Sequence, residues 1–514
     1  MKKISLYIIG ALAAVVSLSA CKDELEDKFY NPDQTTSQSI GGFFTEMLDN
    51  DRVRPNYWEL RTFIVMHPGI YTQSVAYLNG NSVFQQNGSY TQDRWQDFYR
   101  PGGNGGGVMA HYRAIQNAYE SLSEEEKNAN RIFLEAAKVV MLDQASQMVD
   151  LWGDIPFSEA GSLNLTGKVV RPKFDRAEDV YAAILSGLKE ASDYMATAST
   201  NASFQRQDIL LQGNVDQWRR YANSLRLRLL MRTSFVDEAG AKQQVMEMLN
   251  NPGQYPLVDE PEYNVLLSPL TNNTNDLRNA MTELTNYSAP EFMLEEVLKP
   301  ANDPRIPVLF DKNTGNTEYR GLPQNLGSEQ QQQNIGMYAV IDSSTFLLNS
   351  KLPGIVITAA EVNLLKAEAF ERWGGGDAQA AYEQALEQSV RFYYYLNSLN
   401  ANPKAPLTPP TAEEMNSFLA EPAVAYAGTQ EEKLEKIWTQ KWVHFGFLQS
   451  VQSWSELRRT GYPDLTFTPA TMPGYELPPL RLVYPDSEKA FNADNYEQVR
   501  AKDLRDTEIF WDVQ

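Results

Sequence analysis

Residues 123–156 run SEEEKNANRIFLEAAKVVMLDQASQMVDLWGDIP, and this stretch decides the class of the chain. Phe133, Ala137, Met141, Ala145, Met148 and Trp152 recur every three or four residues, which sets them on one face of a helix. Ser123 and the glutamates after it open that helix, and Gly153 and Pro156 close it. Just upstream, Tyr112, Ile115, Tyr119 and Leu122 repeat the spacing, so two neighbouring helices are expected. The pairing returns further along. One helix is expected from a cap at Asp175 to about Met195, and its partner carries Trp218, Ala222, Leu225 and Leu229 on one stripe. Val362, Leu365, Ala369 and Trp373 precede Gly374–Gly376, and Tyr382, Ala385, Ser389 and Phe392 follow. Leu434, Trp438, Trp442, Phe445 and Leu448 mark a last strong face.

Helix pairs are thus expected near 106–152, 175–236, 358–397 and 430–459. Repeated pairs let each hairpin bury the face that it cannot bury alone. The tetratricopeptide consensus is not met residue by residue, so the pairs are TPR-like rather than true repeats. The expected fold is mainly α: about four TPR-like helix pairs in a single domain over 40–514, with long irregular loops and minor β. Residues 40–48 are expected to form a short helix. From Asn56 to Arg100 apolar residues lose helical spacing while aromatics stay dense, which suggests ordered loops. Residues 240–350 are polar and loop-like apart from a helix at Glu291–Leu298, and the proline-bearing tail from Gly461 is expected to drape irregularly. Pro101–Gly107 lacks the Gly-Lys-Ser/Thr ending of a phosphate loop and is expected to be a hinge.

The formal net charge is −21, from 66 acidic and 45 basic residues. Such a surface repels phosphate backbones and argues against a nucleic-acid partner. Arg219, Arg220, Arg226 and Arg228, clustered opposite the Trp218 stripe, are expected to be internal salt-bridge partners. A catalytic constellation is not apparent. His67, His111 and His444 lack metal-ligand spacing, and no Gly-x-Ser-x-Gly elbow occurs. No cofactor, metal or catalytic residue is assigned, and a binding protein is expected rather than an enzyme. The many carboxylates keep a surface glycosidase as a lesser alternative.

The start of the chain has its own logic. Lys2 and Lys3 precede an apolar run over 4–17, then Leu18-Ser19-Ala20-Cys21 and Lys22-Asp23-Glu24. A basic end, a short apolar run and small residues describe a secretory signal rather than a membrane span. Leu-Ser-Ala-Cys resembles a bacterial lipobox, which implies a signal peptide over 1–20 and acylation of Cys21, the only cysteine. Residues 21–39 are then an acylated tether, and several acyl chains would anchor it stably. Lys22-Asp23-Glu24 resembles the surface-export signal of Bacteroidetes lipoproteins.

Several longer stretches carry a second resemblance. Val149-Asp-Leu-Trp-Gly-Asp-Ile-Pro156, Trp218 to Arg232, Asp303-Pro-Arg305, Tyr319-Arg-Gly-Leu322, Ala360 to Glu368, Gln440-Lys-Trp442, Glu456 to Pro463 and Arg481-Leu-Val-Tyr-Pro485 occur in order. Together they resemble the SusD/RagB family of nutrient-binding lipoproteins of Bacteroidetes. The resemblance implies outer-membrane attachment facing the cell exterior, and a SusC-type TonB-dependent transporter as partner. It also implies an oligomeric nutrient as ligand, a glycan first and a peptide as the alternative. Its motifs are structural, so no ligand residue carries over from them. Sugar rings stack on aromatic plates and hydroxyls need amide or charged partners, which makes Tyr71, Tyr77, Asn79, Tyr287, Tyr319 and Arg320 the candidate ligand contacts.

Overall fold

The computed structural model describes residues 39–101, 106–270, 276–283, 287–313, 317–399 and 405–513. The signal peptide, Cys21 and all of the tether but its last residue lie outside them, as do residues 102–105 of the glycine-rich hinge.

The described chain is mainly helical with a few short strands. Eight long helices form four pairs. Helix α1 (Val108–Glu120) packs on α2 (Glu124–Trp152), and α3 (Ala177–Met195) on α4 (Val215–Arg232). Helix α5 (Ala359–Trp373) packs on α6 (Ala378–Ser398), and α7 (Gln430–Phe445) on α8 (Ser450–Thr460). Neighbouring pairs also touch, α2 on α3, α4 on α5 and α5 on α7, so each pair covers a second face of the next. The stripe from Phe133 to Trp152 is buried along its length, and the buried apolar side chains of all four pairs join one core.

The local devices follow from the sequence. Ser123 and Glu126 form a reciprocal cap at the start of α2, and Thr429 and Glu432 do the same for α7. Gly153 ends α2 at φ +79°, where a side chain would crowd Arg481. The helix α3 departs from expectation at its start. Asp175 does not cap it, because Asp175 pairs with Ile155 in an antiparallel bridge and its carboxylate accepts the Phe157 and Ser158 N–H groups (3.1 and 2.7 Å). The Ala177 N–H goes instead to Asp154 Oδ1 (2.9 Å).

The region from Asn56 to Arg100 is far more helical than its spacing suggests. Tyr57–Glu59 leads into a π-helix, Leu60–Gly69, and Gly88–Tyr99 is an α-helix capped by Asn87. A π-helix bonds i to i+5, so its apolar residues leave no 3.6-residue trace. Between residues 240 and 350, Glu238–Asn250 is also an α-helix, and Phe292–Leu298 winds as a π-helix. Short strands pair antiparallel: Val265–Leu267 with Gly354–Ile357, and Phe310–Asp311 with Val340–Ile341.

Four pairs of helices meet on buried charge. The guanidinium of Arg232 (α4) donates to Asp150 (α2) and, at 2.9 Å, to Glu456 (α8). Arg459 (α8) makes a bidentate pair with Glu368 (α5), both bonds 2.7 Å, and a third contact to Glu456. Lys441 (α7) sits between the same two glutamates. Burial alone would raise Glu368, but the charges of Arg459 and Lys441 prevail and hold it at about 2. Tyr181 and Trp511 donate to the other oxygen of Asp150. Among the clustered arginines, Arg228 pairs with buried Glu361 and Arg220 with Asp216, whereas Arg219 and Arg226 donate to neutral oxygens of Gln254 and Gln244. None of the described helices is long and apolar enough to cross a membrane.

Candidate ligand-binding face

Three largely irregular segments, within 73–86, 319–341 and 465–477, are joined to one another by hydrogen bonds. Asn79 fastens the first two. Its side-chain NH2 donates to the carbonyls of Gln324 (2.6 Å) and Leu326 (2.8 Å), and its backbone N–H donates to Gln331 Oε1 (2.7 Å). Gln331 in turn donates to Pro323 O (2.7 Å). The third segment joins through Thr468, which donates to Gln324 O, Met472 N–H, which donates to Asn81 O (3.0 Å), and Gln73, which donates to Thr466 O (2.7 Å). A small main-chain lattice lies beneath. Ile341 N–H donates to Tyr287 O, Ala339 N–H to Arg320 O and Leu322 N–H to Ala289 O.

This arrangement sorts the six candidate residues. Tyr287, Tyr319 and Asn79 are half-buried and Arg320 is exposed. Tyr287 and Arg320 belong to the main-chain lattice, whereas the contacts of Asn79 are to Gln324, Leu326 and Gln331. The Lys312 ammonium lies 4.9 Å from the centre of the Tyr319 ring. Burial, then Asp311 and Asp342, push the Tyr319 hydroxyl up, so it stays protonated and able to donate. Tyr71 and Tyr77 point into the core instead. Tyr71 packs against Trp454 at 5.1 Å between ring centres, and Tyr77 against Phe84 at 5.8 Å. Of the other aromatics of this region, Phe63, Phe84, Trp95 and Phe98 are also buried. Their density reflects core packing, and their rings have no open face. Gln324 and Gln331 were not singled out as site residues; the glutamine run at 330–333 was visible only as polar loop.

The histidines and two carboxylates displaced by burial have internal partners. His444 is buried, held between Thr358 and Ser389 hydroxyls (2.6 and 2.9 Å), and desolvation lowers it to about 3. His67 is likewise buried against Phe63 and lowered to about 4 by desolvation, while half-buried His111 lies 3.7 Å from Glu46. Asp51 is raised to about 8 by burial with Glu59 and Asp97 nearby, and accepts from Asn56 (2.6 Å). Glu59 is paired to Arg94 (2.6 Å). No group of three or more His, Cys, Asp or Glu suited to a metal occurs among the described residues. What the loop layer offers is therefore contact chemistry: two phenol rings, a guanidinium and amides on a backbone-braced platform.

Residues 58–485 match the profile of the SusD-like_2 family, described as starch-binding and associating with the outer membrane. No curated protein matches the sequence. Solved structures are similar over nearly the full length. A chitin-binding protein shares 22% identity at a TM-score of 0.75, over 93% of this chain and 100% of its own. A chitin-binding SusD homologue from Flavobacterium johnsoniae shares 23% identity at a TM-score of 0.70, over 92% and 99%. A SusD homologue from Bacteroides fragilis shares 22% at 0.73, again over 92% and 99%.

Proposed function

The chain belongs to the SusD-like family, and from that premise we propose that it is a lipoprotein of the outer-membrane surface that captures an oligomeric glycan and delivers it to a SusC-type TonB-dependent transporter. Acylated Cys21 holds it to the membrane, and the tether lets the folded part approach the transporter. The glycan lies on the loop layer, with Tyr287 and Tyr319 as stacking plates and Arg320 and Asn79 as polar contacts. The observation that carries this reading is the bracing of that layer. Its segments are tied by main-chain and amide hydrogen bonds, so the platform is braced before ligand arrives, while Arg320 is exposed and Tyr287 and Tyr319 are part-exposed. A preformed site avoids the ordering cost of binding.

The test is a calorimetric series with oligosaccharides from chitin, starch and glycoproteins beside peptides of similar length. Binding of at least one saccharide, weakened by joint Tyr319→Ala and Arg320→Ala substitution, is the expected result. Peptide binding with no saccharide binding overturns the glycan assignment. Lipid labelling lost on Cys21→Ala, with release of the protein from the outer membrane, checks the anchor. Co-purification with a β-barrel transporter checks the partner.

A further inference from the structure

We propose that a cleft on the helical scaffold, separate from the loop layer, is a second saccharide subsite. It has a volume of about 470 Å³, and lies between the first turn of α5, one face of α6 and residues 261–268. Clefts of roughly 300–1,000 Å³ are the usual size for small ligands. The aromatic wall is made by Phe392 and Tyr395 of α6. Their ring centres are 6.4 Å apart with planes tilted by 34°, and Tyr395 is 45% exposed, which is unusual for an aromatic in this scaffold.

The polar groups are held before any ligand binds. Asn264 Oδ1 accepts the Ala359 N–H (2.8 Å), which fixes the amide at the edge of the cleft. Gln388 is fixed at both ends, donating to Asp259 O and accepting from Asn363, each at 2.9 Å. Arg391 is steadied by Glu387 one turn away (2.7 Å), and Glu262 lies exposed on the opposite wall. A pyranose matches this arrangement on both sides. Its CH face covers an aromatic plate, and its ring of hydroxyls meets amide, guanidinium and carboxylate. A hydrocarbon chain would strip water from Arg391 and Glu262 without replacing their hydrogen bonds. One long glycan, or two copies of a short one, would therefore engage the chain at two places, which raises avidity without new contacts at either.

The choice of ligand class rests on the reading above, whereas the location does not. The experiment is calorimetry of the full chain with chitohexaose and with maltohexaose. The variants are Tyr395→Ala, Arg391→Ala and the loop-layer pair Tyr319→Ala with Arg320→Ala, with melting temperature as the folding control. Two equivalents of one hexasaccharide should bind wild type. Tyr395→Ala should weaken one of them about tenfold or more, Arg391→Ala should weaken the same one, and the loop-layer pair should remove the other. One equivalent, unaffected by Tyr395→Ala but lost in the loop-layer pair, overturns the cleft and leaves the loop site standing. One equivalent lost only with Tyr395→Ala supports the cleft and overturns the loop site. No binding of either hexasaccharide overturns both.

Discussion

The buried charge cluster and the loop layer solve the same problem, holding distant segments together, by opposite means. In the cluster, Asp150, Arg232, Glu368, Lys441, Glu456 and Arg459 meet through side chains with almost no solvent. In the loop layer the main chain and amide groups carry the joints, with Arg320 exposed and Tyr287 and Tyr319 part-exposed. The first arrangement tolerates little variation, since removing one partner strands a charge in the interior. The second lets exposed side chains vary while the platform keeps its shape.

Glu368→Ala is the harshest test of this contrast. It leaves Arg459 and Lys441 without one of their two buried counter-charges, and should cost about 3–5 kcal/mol in urea unfolding. Any molecules that still fold should keep the loop-site affinity. Asn79→Ala should cost less, about 1–2 kcal/mol, because it takes the Asn79 donor from the Leu326 carbonyl and leaves the Gln324 carbonyl with Thr468. Its signature should be faster hydrogen exchange confined to residues 322–331, with weaker ligand binding. A change spread through the helix pairs would show that the layer is not a separate platform.

Asp51 provides a pH test within the scaffold. Its folded-state pKa, about 8, lies above its ordinary value of 3.8, so the folded protein holds the extra proton between the two. That contribution is present below pH 3.8 and is lost as pH rises toward 8. Asp51→Asn should therefore raise the melting temperature by roughly 2 °C at pH 8 and leave it unchanged near pH 3.5. The smallest stability effect is expected at the ligand plates. Tyr319→Ala with Arg320→Ala should stay within about 0.5 kcal/mol of wild type while weakening saccharide binding. A large loss of stability would place these residues in the structure rather than at its surface.

The two regions also differed in how much the sequence revealed. The stripes of α1, α2, α4, α5, α6 and α7 were legible because a 3.6-residue period survives in a helix with one buried face. The stretches resembling the SusD/RagB family were visible as motifs, and the structure supplies the reason several of them hold together. Asp150, Arg232, Glu368, Lys441, Glu456 and Arg459 come from five of those stretches and converge on one point. Arg232 was passed over in favour of Arg219, Arg220, Arg226 and Arg228, because no local spacing distinguishes a buried arginine from its neighbours. The loop layer was harder. Aromatic density between Tyr57 and Tyr99 suggested contact with ligand, yet Phe63 on the π-helix, Trp95 and Phe98 on the α-helix, and Tyr71, Tyr77 and Phe84 between them are buried in the core. Tyr319 and Arg320 could be placed in a loop, but the tie between that segment and Asn79, through Gln324, spans 245 residues of chain and leaves no periodic mark.

Asp150 has a last implication. Its partners Tyr181, Arg232 and Trp511 follow it by 31, 82 and 361 residues, so its carboxylate is fully enclosed only when distant sequence arrives. Until then the half-built interior would contain an ion with too few neighbours, a penalty that keeps partial chains loose. For a chain exported as proposed above, such a delay gives time to cross the first membrane unfolded.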